Sequence, residues 1–123
     1  MIKGIEILSE EGGDGDVIER GEYYTLSTKI WLNKGEPVKW EKPSGVFDQG
    51  SISPDKTELI SDFRIDREQL IPGIFYGCEG IKIGGTRKLK VPPHLAYGEK
   101  GIEEMIPPNA LLTIEIKIIK KRN

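Results

Sequence analysis

The sequence predicts an α+β domain: a curved antiparallel β-sheet of five to six strands wrapped over one short α-helix. Three observations carry this. Stretches such as Tyr24–Leu32, Thr86–Val91 and Leu111–Ile119 alternate apolar and polar residues with a period of two, which is the pattern of half-buried strands. Ile74, Phe75 and Cys78 fall three and four apart just after Pro72, which places one apolar helical face behind a residue that belongs at a first helical position. Gly 15 and Pro 8 in a chain of 123 residues supply many turns without approaching the composition of disorder. A sheet curving over a helix buries one face and leaves the other wet.

Taken in order, Ile2, Ile5 and Ile7 begin a strand that ends at Leu8. The run Glu11-Gly-Gly-Asp-Gly-Asp16 breaks it, because glycine permits positive φ and aspartate favours turns. This run lacks the spacing and the closing glutamate of a calcium-binding loop. Tyr24, Leu26, Thr28, Ile30 and Leu32 share one side of the second strand. Asn33–Glu36 is a turn and Val38–Trp40 a return strand. Residues 42 to 57 read as an exposed loop with a short bulged strand near Val46-Phe47, and residues 59 to 65 as a further strand.

Asp66–Gln69 reads as a turn, followed by a helix from Pro72 to Glu79 that Gly80 terminates. In the strand Thr86–Val91, Arg87, Leu89 and Val91 oppose Lys88 and Lys90, and Pro92-Pro93 stops it. Residues 92 to 108 form a long loop. The last strand carries Leu112, Ile114, Ile116 and Ile118 on one side, and Lys120–Arg122 reads as a solvated tail.

At 123 residues the chain is one domain by length, 1–123, and large enough to bury a core. A net charge of −2 with 31% charged residues makes nucleic acid a poor partner. The lone Cys78 cannot close an internal disulfide and reads as a small core residue. No apolar run approaches the roughly 20 residues a membrane-spanning helix needs, and no signal-peptide layout is present. The expected location is the cytoplasm. With one histidine, His94, in a loop, and no cysteine pair, neither a hydrolytic triad nor a structural zinc site is expected. Gly84-Gly85 precedes a strand and is too short for a phosphate loop. Any pocket here is expected to act by shape and desolvation.

Four motifs in the second half occur in a telling order: Leu70-Ile-x-Gly before the helix, Ile81-x-x-Gly-x at the strand entry, Pro93-x-x-Ala-Tyr97-Gly in the loop, and Ile106-Pro-Pro-x-Ala-x-Leu into the final strand. In this the chain closely resembles the FKBP-type peptidyl-prolyl cis-trans isomerases, strongly from Leu70 to Lys120 and more loosely before. The resemblance implies a monomeric isomerase that assists protein folding, with a pocket between helix and sheet and no cofactor. Its implied partners are proline-containing peptides or unfolded clients and, weakly, macrolide inhibitors, without nucleic acid or membrane.

Carried over residue by residue, Tyr97 matches the loop tyrosine that donates to the ligand carbonyl. Leu70 and Ile71 match the pair whose backbone amide reaches the ligand and whose side chains line the pocket. Ile106 and its neighbour Met105 match the apolar residues before Pro-Pro. Elsewhere the chain departs from the pattern. Ile74 stands where the family has a helix tryptophan, Ile114 for a last-strand phenylalanine and Thr28 for a first-strand tyrosine. Gapless matching puts Val38-Lys39 at the family's aromatic–acid pair. A hairpin two residues longer puts Trp40-Glu41 there, restoring both an aromatic wall and a carboxylate. Phe63 and Phe47 compete for the remaining wall.

A smaller, less flat floor implies weaker grip on proline and slower or shifted catalysis. A non-catalytic peptide-binding module is the alternative of a different class. A third reading is an isomerase to which the 42–57 loop adds specificity.

Overall fold

The computed structural model describes residues 4–40 and 50–122. Six strands form one sheet: β1 (Glu6–Glu11), β2 (Tyr23–Leu32), β3 (Ser51–Ile52), β4 (Glu58–Arg64), β5 (Thr86–Val91) and β6 (Leu112–Arg122). Among the described residues one helix, α1 (Pro72–Gly77), and a 3-10 turn, Pro93–Leu95, accompany the sheet. The strand order is β1-β5-β6-β2-β4-β3, and every neighbouring pair is antiparallel.

Register decides which side chains share a face, because successive residues of a strand point to opposite sides. Ile114 of β6 lies opposite Ile30 of β2 and Leu89 of β5, and Leu112 lies opposite Leu32 and Val91. On the far side of β2, Thr28 pairs with Leu59 and Tyr24 with Phe63. These rows make one continuous apolar face, and its central members Leu26, Ile30, Leu89, Leu112, Ile114, Ile116 and Ile118 are fully buried. The opposite face is held by polar pairs. Thr25 Oγ1 donates to Asp62 Oδ1 at 2.6 Å, and Ser27 Oγ donates to Glu58.

Helix α1 approaches the apolar face closely because Gly73 and Gly77 face β5. A β-carbon at Gly73 would stand 2.4 Å from Val91 Cγ1, and one at Gly77 would stand 2.4 Å from Leu89 Cδ1. Ile74, Phe75 and Cys78 fill the space to either side, all buried. The short helix leaves C-terminal carbonyls without intrahelical partners. Arg87, on the same face of β5 as Leu89, reaches them. Its Nη1 donates to the carbonyls of Gly77 at 2.8 Å and Glu79 at 2.6 Å, while its Nε donates to Glu10 Oε1 at 2.6 Å. A charged residue buried in this way is tolerated because every bond is to a full or partial negative charge.

Several boundaries move. The first strand runs Glu6–Glu11 rather than ending at Leu8, with a bulge between Ile7 and Ser9, because the Arg87–Glu10 ion pair holds its far half to β5. Val38–Trp40 is not a return strand. Pro37 lacks an N–H and makes only an isolated bridge to Trp31, after which Val38 N–H bonds Ile30 and Trp40 N–H bonds Lys56. The expected 42–57 loop contains β3 in its described part, whereas the Val46-Phe47 strand lies outside the described residues. The helix stops at Gly77, short of Glu79. Lys120–Arg122 is no tail: it extends β6 opposite Tyr23–Thr25, and Arg122 Nε lies 3.1 Å from Asp62 Oδ2.

Candidate functional site

Between α1, the β2–β4 edge of the apolar face and the loop after β5 lies a cavity of about 120 Å³. Thr28, Trp40, Leu59, Phe63, Gln69, Leu70, Ile71, Ile74 and Tyr97 line it. Register brings Thr28, Leu59 and Phe63 to it from the sheet. Trp40 arrives from the segment that follows the β2 turn, pinned by the 2.7 Å bond from its N–H to the Lys56 carbonyl.

The approach to α1 is set by Asp66. Its Oδ1 accepts the N–H groups of Glu68 at 3.0 Å and Gln69 at 2.9 Å, and its carbonyl accepts the N–H of Leu70 at 3.1 Å. This is the local side-chain capping that aspartate supplies to a tight turn. Ile71, which precedes a proline, is extended at φ −62° and ψ 154°, as the clash with the proline ring requires. Its carbonyl starts the helix, accepting Ile74 N–H at 3.0 Å and Phe75 N–H at 2.9 Å. Its own N–H lies outside the helix and has no acceptor among the described residues.

Tyr97 is positioned by the prolines. Pro92-Pro93 ends β5, and the Pro93 carbonyl accepts Ala96 N–H at 3.0 Å and Gly98 N–H at 2.9 Å, which turns the chain back across the sheet. The Tyr97 carbonyl accepts Gly101 N–H at 3.0 Å. The Tyr97 hydroxyl bonds no described residue, and burial pushes its pKa from 10.0 up to about 12. At neutral pH it is therefore a protonated, unused donor beside an apolar cavity. None of the described residues lining the cavity is charged. Among the described residues the site has no nucleophile–base pair. It can hold an apolar ring and present hydrogen-bond donors to a carbonyl beside that ring.

Of the residues the sequence nominated, Tyr97, Leu70, Ile71, Ile74, Trp40 and Phe63 meet at this one cavity. Val38, the gapless alternative to Trp40, is instead a core residue, 2% exposed. Glu41 and Phe47 lie outside the described residues. Met105 and Ile106 do not line the cavity. They line a separate open depression of about 630 Å³ with Lys100, Glu103 and Glu104. The reason is local: reciprocal 2.8 Å bonds between Ile102 and Ile106 fold this stretch into its own small hairpin. Ile114 is displaced too, fully buried in the sheet between Ile30 and Leu89. Thr28, Leu59 and Gln69 join the lining without having been nominated as site residues. Leu59 has no local signal, since only the β2–β4 register puts it beside Thr28. Gln69 could have been suspected from its place just before Leu70-Ile71.

Among the described residues no cluster of His, Cys, Asp or Glu could hold a metal ion, and no helix is long and apolar enough to cross a membrane. Burial pushes the Cys78 thiol up to about 12, so it is a packing residue.

Comparison with known proteins agrees with this geometry. Residues 38–119 match the family model of the FKBP-type peptidyl-prolyl cis-trans isomerases. Over 54 residues, 44% of this chain and 23% of the relative, the sequence is 44% identical to a chloroplastic peptidyl-prolyl cis-trans isomerase of Arabidopsis thaliana. Over 119 residues, 97% of this chain and 22% of the relative, it is 29% identical to the FK506-binding protein 4 of Aspergillus oryzae. The chain thus spans about a quarter of the length of these two relatives. Among solved structures, the crystal structure of FkpA from Escherichia coli superposes with a TM-score of 0.67 at 27% identity, covering 96% of this chain and 47% of that one. With an apolar cavity between helix and sheet, a tyrosine and a pre-proline amide at its edge, and a family match across two-thirds of its length, the chain belongs to the FKBP-type peptidyl-prolyl cis-trans isomerases.

Proposed function

We propose that this domain catalyses cis–trans rotation about X-Pro bonds in proline-containing peptides and unfolded clients, seating the prolyl ring in the cavity beneath Tyr97. The observation that carries this reading is the pairing of two donors that no described residue uses, the Tyr97 hydroxyl and the Ile71 N–H, on residues of a cavity whose described lining is uncharged. At about 120 Å³ the cavity approaches the roughly 150 Å³ of an apolar cavity that accepts benzene, so a five-membered ring fits.

The chemistry needs no covalent step. Rotation about a peptide bond faces a barrier of about 18–20 kcal/mol because resonance flattens the amide. The planar amide is the more charge-separated state, and a dry apolar site disfavours it relative to the twisted one. Donors already in place favour rotation by being aligned with the carbonyl in the orientation it takes when the bond is twisted, which is the condition for acceleration. Ile74 gives this site a smaller, less flat floor than a tryptophan would, which supports a reduced or shifted activity and a weak hold on macrolides. The proposed setting is a cytoplasmic monomer acting as a folding helper. The single buried thiol of Cys78, which needs no oxidising compartment, supports that location.

Exchange NMR on short peptides with Ala-, Leu- and Phe-Pro bonds tests the reading. Acceleration well above the uncatalysed rate of roughly one event in tens to hundreds of seconds supports an isomerase. Shift changes mapping to Tyr97 and Ile71 without acceleration leave a binding module instead.

A further inference from the structure

Resting on the proposed isomerase reading, we propose that Arg87, held by Glu10, is a positioning residue for the reaction. From outside the cavity its guanidinium fixes the rotation of α1, and so the placement of Ile74 and the Ile71 N–H against the bound proline. Apolar packing alone leaves that rotation open, because burial is non-directional. Gly73 and Gly77 let α1 close onto Val91 and Leu89. Those contacts limit how near the helix comes, not how it turns about its own axis.

Hydrogen bonds are directional, and Arg87 supplies them. Its Nη1 carries two hydrogens and meets two carbonyls, Gly77 at 2.8 Å and Glu79 at 2.6 Å. Its Nε donates to Glu10 Oε1 at 2.6 Å, which holds the plane of the guanidinium. The base of this fork is rigid. In β5, Arg87 lies opposite Glu10 of β1 on one side and Ile116 of β6 on the other. The side chain of Arg87 is 9% exposed, so water screens these bonds little. Gly77 lies one turn beyond Ile74, and the Ile71 carbonyl starts the same short helix. A turn of α1 at Gly77 therefore carries with it both Ile74 and Ile71, which line the cavity. Misplacement of reacting groups by about 1 Å can cost about 100-fold in rate.

Arg87→Lys keeps the charge and loses the planar fork. It is compared with Ile118→Val, a core variant in the sheet that lowers stability without touching α1, in the peptide exchange assay well below both thermal midpoints. The expected result for Arg87→Lys is a fall in kcat/KM of about tenfold, carried by kcat rather than KM, because the prolyl ring still enters while the donor and floor are misaligned. Ile118→Val is expected to keep wild-type kinetics. Equal kinetics in the two variants would reduce Arg87 to a stabilising residue and overturn the proposal. If Arg87→Lys does not fold, the half-exposed Glu10 serves instead. Glu10→Ala is expected to lower kcat, and Glu10→Gln, whose amide oxygen still accepts the Arg87 Nε–H, to restore it; wild-type kcat in Glu10→Ala would overturn the proposal. If the wild-type protein accelerates nothing, the isomerase reading fails by itself. Titration with an Ala-Pro peptide then decides the positioning role: weaker binding in Arg87→Lys than in Ile118→Val supports it, and equal binding overturns it.

Discussion

Gly73 lies against Val91 so closely that a β-carbon on the glycine would stand 2.4 Å from Val91 Cγ1 and 3.0 Å from the Leu95 carbonyl oxygen. The helix that carries Ile74, and whose N-terminus is set by Ile71, is therefore seated on the sheet at a distance only glycine allows. Val91 is β-branched and fully buried, so it has little rotamer freedom with which to yield. Gly73→Ala is expected to destabilise the domain by about 1–3 kcal/mol, as other overpacked cores do. Thermal unfolding measures this, and peptide binding should weaken along with it as α1 lifts. An unchanged midpoint would mean that the helix is not held at this distance.

Tyr97→Phe removes one hydroxyl that no described residue uses. Stability is expected to change by less than about 0.5 kcal/mol, while kcat/KM for X-Pro exchange falls by roughly tenfold, the effect of losing one hydrogen bond to the reacting group. Equal activity in the variant would exclude Tyr97 as the ligand donor.

The same hydroxyl sets a pH expectation. Burial raises its pKa from 10.0 to about 12, so it remains a donor throughout the neutral and mildly alkaline range. Activity resting on Tyr97 should therefore be flat through pH 10 and decline as the pH nears 12. The linked effect on stability has a definite sign. The phenolate forms at lower pH in the unfolded chain, so stability is complete below pH 10 and erodes as the pH rises through 10 to 12. A decline in activity centred near neutrality would point to another titrating group.

Ile74→Trp would enlarge and flatten the cavity floor. The expected result is a gain in kcat/KM, accompanied by a loss of about 1–3 kcal/mol of stability because the site is already packed. Loss of stability without any gain would show that neighbouring side chains occupy the added volume.

Arg87 and the residues of β6 show why parts of the fold were legible and parts were not. The alternation in Thr86–Val91 placed Arg87 on the same face as Leu89 and Val91, and the sheet does bury it there. Its task of binding the Gly77 and Glu79 carbonyls depends on where α1 ends, which no local pattern specifies. Lys120–Arg122 looked solvated because its side chains are charged. The strand continues there because Tyr23–Thr25 offers backbone partners and Asp62 offers a carboxylate. Both are supplied by segments distant in sequence.

By itself, then, the sequence determined the α+β class, the helix start at Pro72 and the strand Thr86–Val91, which rest on short-range physics: period-two burial, proline geometry and glycine turns act within a few residues. The convergence of Leu70, Ile71, Ile74 and Tyr97 followed only from the family resemblance carried by its four motifs. Only the tertiary structure decided that Trp40 rather than Val38 reaches the cavity, that Leu59 and Gln69 join it, and that Ile114, Ile106 and Met105 stand away from it. Those placements depend on strand register and on how loops fold back, where a shift of one residue moves a side chain from one face of the sheet to the other.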